Sequence, residues 1–263
     1  MPDRWTTREL MVACAARELH DGDVVFVGMR LPLLAFALAK ATHAPGALGL
    51  FENGVVRDTP PTGTVVTMSD PANLDGALWT GPMRTVMAWL AAGRVDAGFI
   101  GGAQIDRHAN LNTTRIGPAG SSGGATPCLR LPGSGGGCDI ASAARRLLVV
   151  MAHEPRRFVA RVDHLTSPGY GDGPGWRERV GLPACESVTL ITTRAVLRAT
   201  GDSGAFQLVS VHPGETRDGV VAATPWTWPE TGPDAVPETE PPTPQALVAL
   251  RWLDPQRVWT ADA

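Results

Sequence analysis

Between Val24 and Phe51 the chain alternates short apolar runs with one helix-period segment, and this alternation restricts the fold more than any other feature. Val24-Val25-Phe26-Val27 is an apolar run closed by Gly28. Leu33 to Thr42 follows behind Pro32 with helical recurrence, and Leu48-Gly49-Leu50-Phe51 is a second apolar run. Runs this short and continuous suit buried strands, and β-α-β at such intervals is the mark of a sheet layered with covering helices. Upstream, Thr6-Thr7-Arg8-Glu9 has the S/T-x-x-E form of a capping box, which predicts a helix running to the stop at His20-Asp21-Gly22.

Further strands are expected at Val65–Met68, Ala97–Ile100, Leu147–Met151, Phe158–Val162, Val188–Thr192 and Phe206–Val211. Helices are expected at Pro82–Ala92, Cys138–Arg146 and Pro244–Leu253. Residues 117–137 and 163–183 read as two long loops, and loops of that length inside a compact domain commonly carry function. With no internal repeat and no clean linker, one α/β domain over residues 1–223 is the simplest reading. Residues 224–263 then form a tail, rich in Pro and Trp, packed on that domain or on a partner. Trp226 and Trp228 point to a partner, because large aromatics are enriched at interfaces.

Composition excludes several classes. A net charge of −3 with no basic run argues against nucleic acid. No apolar run approaches the ~20 residues that a membrane span needs, and Met1-Pro2-Asp3-Arg4-Trp5 has no apolar signal core. Cys14, Cys128, Cys138 and Cys185 form no C-x-x-C pair, so they read as reduced thiols of a cytoplasmic protein, with no metal site.

The candidate chemistry begins at Glu52-Asn53-Gly54, which follows the second apolar run. An acid at the carboxyl tip of a strand sits where open α/β sheets present their sites, and such a carboxylate can act as nucleophile or base. Taken alone, the same three residues also make an ordinary strand-ending turn with a solvated acid. Gly133-Ser134-Gly135-Gly136-Gly137 precedes a predicted helix, so its backbone N–H groups can face a phosphate or a developing oxyanion; a plain flexible turn fits equally well. Gln104, Asn110 and Asn112 lie just past the strand ending at Ile100, where amides either orient a substrate or cap turns.

Other matches carry less. Gly120-Ser121-Ser122-Gly123-Gly124 spells G-x-S-x-G, but Pro118 and Pro127 flank it where a nucleophile elbow needs a strand and a helix. His153-Glu154 starts an H-E-x-x-H motif whose second histidine is replaced by Arg157. His164 beside Asp163 lacks a nucleophile at a known spacing and reads as structural. Asp172 to Arg179 combines a Gly-Pro turn with alternating charge and reads as a rigid loop docked through Arg–carboxylate pairs.

Several of these strings together resemble one family. Gly101-Gly102-Ala103-Gln104-Ile105-Asp106, His153-Glu154-Pro155-Arg156-Arg157-Phe158, Asp163 to Tyr170 and Asp172 to Pro183 are similar, in order, to the β subunit of class I coenzyme A transferases, especially those acting on glutaconate. The likeness runs from about Glu9 to about Glu215. It implies a three-layer α/β/α sandwich with a mostly parallel sheet, paired with an α subunit so that the active site lies between the two. It also implies that Glu52 is the catalytic acid of an E-N-G turn. Asn53, Gly54, Gln104, Asn112, Gly133, Gly135 and Gly136 become candidates for holding substrate, CoA or an oxyanion. The implied reaction moves CoA from an acyl-CoA to a carboxylic acid, with CoA as substrate and no separate cofactor. His108-Ala109 replaces the Tyr-Gly frequent in the family, which leaves the acyl group open. A CoA-thioester hydrolase on the same scaffold, including a ring-opening type, and a non-catalytic assembly subunit are the alternatives.

Overall fold

The computed structural model describes residues 5–63, 65–117, 128–228 and 235–262. Its centre is a nine-stranded sheet. In chain order the strands are β1 (Val24–Phe26), β2 (Leu48–Leu50), β3 (Val55–Arg57), β4 (Trp79–Thr80), β5 (Ala97–Ile100), β6 (Arg146–Met151), β7 (Ser187–Thr192), β8 (Ala195–Thr200) and β9 (Gln207–Val211). In space they run β9-β8-β7-β6-β5-β1-β2-β3-β4. The five central strands, β7 to β2 in that order, are parallel. Antiparallel strands extend the sheet at both edges.

Alternation along β1 divides the core. Val25 and Val27 face one layer, formed by α1 (Thr7–Arg17), α2 (Leu31–Thr42) and, later in the chain, Pro244–Leu253. Phe26 faces the other, with α3 (Met83–Ala91) and α4 (Gly137–Ala143). The predicted capping box is in place: the Glu9 N–H donates to Thr6 Oγ1 at 3.1 Å, and the Thr6 N–H donates to the Glu9 carboxylate at 2.9 Å. The predicted last helix, Pro244–Leu253, is α5; it packs on α2 and sends Arg251 Nε to Glu9 Oε1 at 2.9 Å. Glu9 is fully buried. Burial pushes its carboxyl up, but the Arg251 hydrogen bond, the Thr6 N–H and the charges of Arg251 and Arg257 outweigh it and hold the group below the usual carboxylate range.

Three expectations are corrected. Val65–Met68 is not a strand: Asp70 Oδ2 accepts the N–H groups of Val66 and Thr67 at 2.6 and 3.0 Å, so those donors are unavailable to a sheet. The strand beside β2 is instead Val55–Arg57, returned directly by the Glu52 turn. Phe158–Val162 contributes only a single bridge from Phe158 to Ile105 after the turn Pro155–Arg157. Trp226 does not wait for a partner: it is buried in this chain's core, stacked on Phe206 at 5.5 Å between ring centroids and edge-on to Phe158 at 5.3 Å. Among the described residues no helix is long and apolar enough to cross a membrane.

Candidate active site

Glu52 stands just past the carboxyl end of β2, where the chain reverses into β3. Phe51 behind it is fully buried and anchors the turn: its N–H donates to the Val55 carbonyl at 2.8 Å and its carbonyl accepts the Gly54 N–H at 2.9 Å. The turn requires glycine at 54. Its φ is +97°, and a Cβ there would sit 1.9 Å from the Gly81 carbonyl oxygen. Asn53 ties the turn sideways, its Nδ2 donating to the Met68 carbonyl at 2.8 Å. The half-buried Glu52 side chain is thereby aimed across the sheet's carboxyl edge.

The glycine loop arrives from the other side. The Gly136 N–H donates to Glu52 Oε1 at 3.1 Å across 84 residues of chain. A Cβ on Gly136 would lie 3.1 Å from Glu52 Cδ, and one on Gly135 3.8 Å from Oε1, so bare backbone is what lets the loop lie against the carboxylate. Gly136 leads into α4, and α4 is held at its far end by Arg177. That buried guanidinium donates to the carbonyls of Ala141, Ser142, Gly169 and Pro183 at 2.7–3.1 Å. The expectation of carboxylate docking in this loop is thus corrected for Arg177, which grips the otherwise unpaired carbonyls of a helix end; Arg179 does pair with Asp172, at 2.5 Å on the surface.

Glu52 and the loop face one cleft of about 170 Å³. Gly28, Gly101, Thr113, Ser134 and Ser167 also line it, so it opens at the carboxyl ends of β1, β2 and β5, the usual site position in an open α/β sheet. Thr113 Oγ1 is buried there without a hydrogen-bond partner among the described residues. Thr113 adjoins the predicted Asn112 and Ser167 lies within the Asp163–Tyr170 string, but nothing in the spacing of either marks it as lining the site.

The remaining predicted residues brace the site from outside the cleft. Gly133 donates its N–H to the Thr113 carbonyl at 2.8 Å and fixes the start of the loop. Asn112 Nδ2 donates to Gln104 Oε1 at 2.7 Å, and Gln104 Nε2 to Asp163 Oδ2 at 3.1 Å. Asn110 accepts the N–H groups of Gly169 and Gly171 and donates to Asp106. Burial of Asp106 outweighs these hydrogen bonds and raises its pKa. His153 is buried between the hydroxyls of Thr192 and Thr224 at 2.9 Å each; burial, with the Arg194 charge, lowers its pKa to about 4. Residues 120–124 lie outside the described residues, and among those described no three His, Cys, Asp or Glu side chains gather as a metal ion would need.

Residues 8–223 match the family described as coenzyme A transferase. One subunit of the 3-oxoadipate CoA-transferase of Pseudomonas knackmussii is 36% identical over 251 residues, covering 95% of this chain and 94% of that one. One subunit of the glutaconate CoA-transferase of Acidaminococcus fermentans is 30% identical over 253 residues, covering 94% and 91%. The crystal structure of glutaconate coenzyme A-transferase from the same organism superposes with a TM-score of 0.87 at 29% identity, covering 99% of each chain.

Proposed function

This chain belongs to the coenzyme A transferase family as the β subunit of such an enzyme, and from that premise we propose that Glu52 itself carries the acyl group and then CoA. The observation that supports this reading is the Gly136 N–H at 3.1 Å from Glu52 Oε1, inside a cleft at the sheet's carboxyl edge. The free carboxylate oxygen attacks the acyl-CoA carbonyl, forming a mixed anhydride as the C–S bond breaks and CoA thiolate leaves. The thiolate then attacks Glu52 Cδ, giving an enzyme–CoA thioester and releasing the donor acid. A second carboxylic acid runs both steps in reverse, and no redox or metal group enters the balance.

Oε1 is the oxygen that becomes the glutamyl carbonyl. It gains negative charge each time Cδ turns tetrahedral, with the Gly136 donor already on it. A donor placed this way typically contributes roughly 3–4 kcal/mol in the transition state. Thr113, Ser134 and Ser167 line the same cleft, and their hydroxyls are the side-chain donors nearest to hand for the acyl oxygen. Glu52 is half-exposed in this chain, whereas an anhydride survives only where water is excluded. An α subunit closing over the cleft provides that exclusion, in keeping with relatives that are each one subunit of a larger enzyme. Both of those enzymes act on dicarboxylic acids, so the acyl group here is assigned to that class.

The test is chemical trapping on the two-subunit complex. Acyl-CoA is added, then hydroxylamine or borohydride, and the modified peptide is mapped. Modification at Glu52, absent together with transfer in Glu52→Ala, is the expected result; a label elsewhere with Glu52→Ala still active rejects the assignment. CoA release at the full rate with no acceptor acid makes the enzyme a hydrolase instead.

A further inference from the structure

The Gly136 N–H meets Glu52 only while the glycine loop is held still, and the loop's own glycines do little to hold it. Gly133 and Gly135 both take positive φ, +98° and +48°, in the part of conformational space where glycine has the most freedom. The loop is tied at its start by two main-chain bonds. The Leu131 N–H donates to the Thr114 carbonyl at 2.9 Å, and the Gly133 N–H donates to the Thr113 carbonyl at 2.8 Å. The next tie, from the Gly137 N–H to the Ser134 carbonyl at 2.8 Å, is internal to the loop. Where the Gly136 donor sits therefore depends on what fixes Thr113 and Thr114.

One side chain does this. Leu111 pairs through its main chain with residues 166 and 167: its N–H donates to the Ser167 carbonyl at 2.9 Å, and its carbonyl accepts the N–H groups of Thr166 and Ser167 at 2.9 and 3.1 Å. Past Leu111 that main-chain pairing stops and the Thr166 hydroxyl takes over. Thr166 Oγ1 accepts the Thr113 N–H at 3.0 Å, lies 2.7 Å from the Thr114 hydroxyl and lies 3.4 Å from Asn112 Oδ1. A hydroxyl has one proton and two lone pairs. Donation to Asn112 with acceptance from Thr113 and Thr114 uses all three. Thr166 is 8% exposed, so little water replaces it as an acceptor for the Thr113 N–H. The Thr113 hydroxyl has no partner among the described residues, which leaves its N–H and its carbonyl as its ties.

Resting on the assignment of Glu52 as the nucleophile, we propose that Thr166 is a positioning residue for transfer. Its hydroxyl sets the Thr113 main chain, the Thr113 carbonyl sets Gly133, and the loop that starts there presents the Gly136 N–H to Glu52 Oε1. Thr113 and Ser167 line the Glu52 cleft and Thr166 between them in space does not, so Thr166 acts on the reaction through the main chain alone. Slack of a fraction of an ångström at Thr113 lengthens the 3.1 Å bond from Gly136 while the cleft-lining side chains stay in place. The steps at Glu52 Cδ then slow, and binding of acyl-CoA is left as it was.

The experiment uses the two-subunit complex. Thr166→Val keeps the shape of the side chain and removes the hydroxyl; kcat is expected to fall about 10–100-fold, with the KM for acyl-CoA within about twofold of the parent. Thr166→Ser returns the hydroxyl and should bring kcat back to within about threefold of the parent. Thr166→Cys, whose sulfur is a weaker acceptor, should fall between the two and carries the measurement if the valine variant fails to assemble. The sharpest comparison combines Thr166→Val with Gly136→Ala. Residues that act through one bond are not additive, so the double variant should be no more than about threefold slower than the slower single one. Multiplied losses in the double variant, an unchanged kcat in Thr166→Val, a raised KM in place of a lowered kcat, or no recovery with serine overturns the proposal. Peptide mapping after hydroxylamine keeps it separate from the nucleophile assignment. Thr166→Val should leave the label on Glu52 and slow its appearance, whereas a label elsewhere rejects Glu52 whatever Thr166 does.

Discussion

Two glutamates in this chain are held in opposite ways, and the contrast shows what makes one of them suitable for chemistry. Glu9, at the start of α1, is fully buried, takes two hydrogen bonds from Arg251 and lies 3.7 Å from Arg257. Cations neutralise it, so it is a weak nucleophile and a strong staple, joining the first helix to α5. Glu52 is half-buried, has no arginine or lysine within ion-pair range among the described residues, and receives one main-chain donor. A single neutral donor orients a carboxylate without removing its charge. The first arrangement fixes its acid in place, and the second leaves its acid free for the role proposed for it.

The harshest attempt to break the contrast is Glu52→Ala. Transfer by the two-subunit complex is expected to fall by at least about 10⁴-fold, as losses of covalent nucleophiles do, while urea unfolding stays within ~1 kcal/mol of the parent. Glu9→Ala should do the reverse. It empties a buried site beside the partly exposed Arg251 and is expected to cost about 2–3 kcal/mol of stability, with specific activity of the folded fraction unchanged. Equal damage to both properties in either variant would erase the distinction.

Acid sharpens it further. Because Glu9 sits below its ordinary pKa in the folded chain, its contribution is complete above that ordinary value, near 4.5, and is lost as pH falls through the folded one. His153 acts in a higher window. Its folded value is about 4 against an ordinary 6.5, so between the two the unfolded chain binds the proton and the folded chain does not. Stability therefore drops as pH falls from about 6.5 to about 4, by ~3 kcal/mol at ~1.4 kcal/mol per pH unit. Denaturant midpoints across this range should show both windows, and Glu9→Gln should flatten only the lower one. The mildest change is Gly136→Ala, whose Cβ falls 3.1 Å from Glu52 Cδ and displaces the carboxylate by a few tenths of an ångström. Turnover is expected to drop about 10–100-fold with the unfolding midpoint unmoved.

The same two regions show what a sequence exposes. The capping box around Glu9 was legible because its partners are three residues apart; Arg251 and Arg257 were not, because more than 240 residues separate them from Glu9. The parallel strands were legible as apolar runs, whereas β3 was hidden, since Val55-Val56 is too short a run to stand out behind a turn. At the site, Glu52 and the glycine loop were legible as turn chemistry, and their likeness to a family joined them. Arg177 was not: an arginine in a charged string looks solvated, and only the tertiary fold brings helix-end carbonyls to it. Gln104 and Asn112 show the same limit from the other side, because an amide that braces a loop and one that binds a ligand have the same local sequence, and only the fold shows Asn112 donating to Gln104.

Arg57, the last residue of β3, is wholly buried, and its guanidinium donates to the carbonyls of Thr59, Pro60, Asn73 and Asp75. Asn73 in turn donates to the Met68 carbonyl, the acceptor that also anchors Asn53 beside Glu52. One cation thus knots a seventeen-residue excursion of the chain to the Glu52 turn. A lysine at that position, with three donors on a flexible stem, reaches fewer of those carbonyls. The wall of the cleft would then loosen as one piece, and Glu52, the proposed nucleophile, would lose its aim.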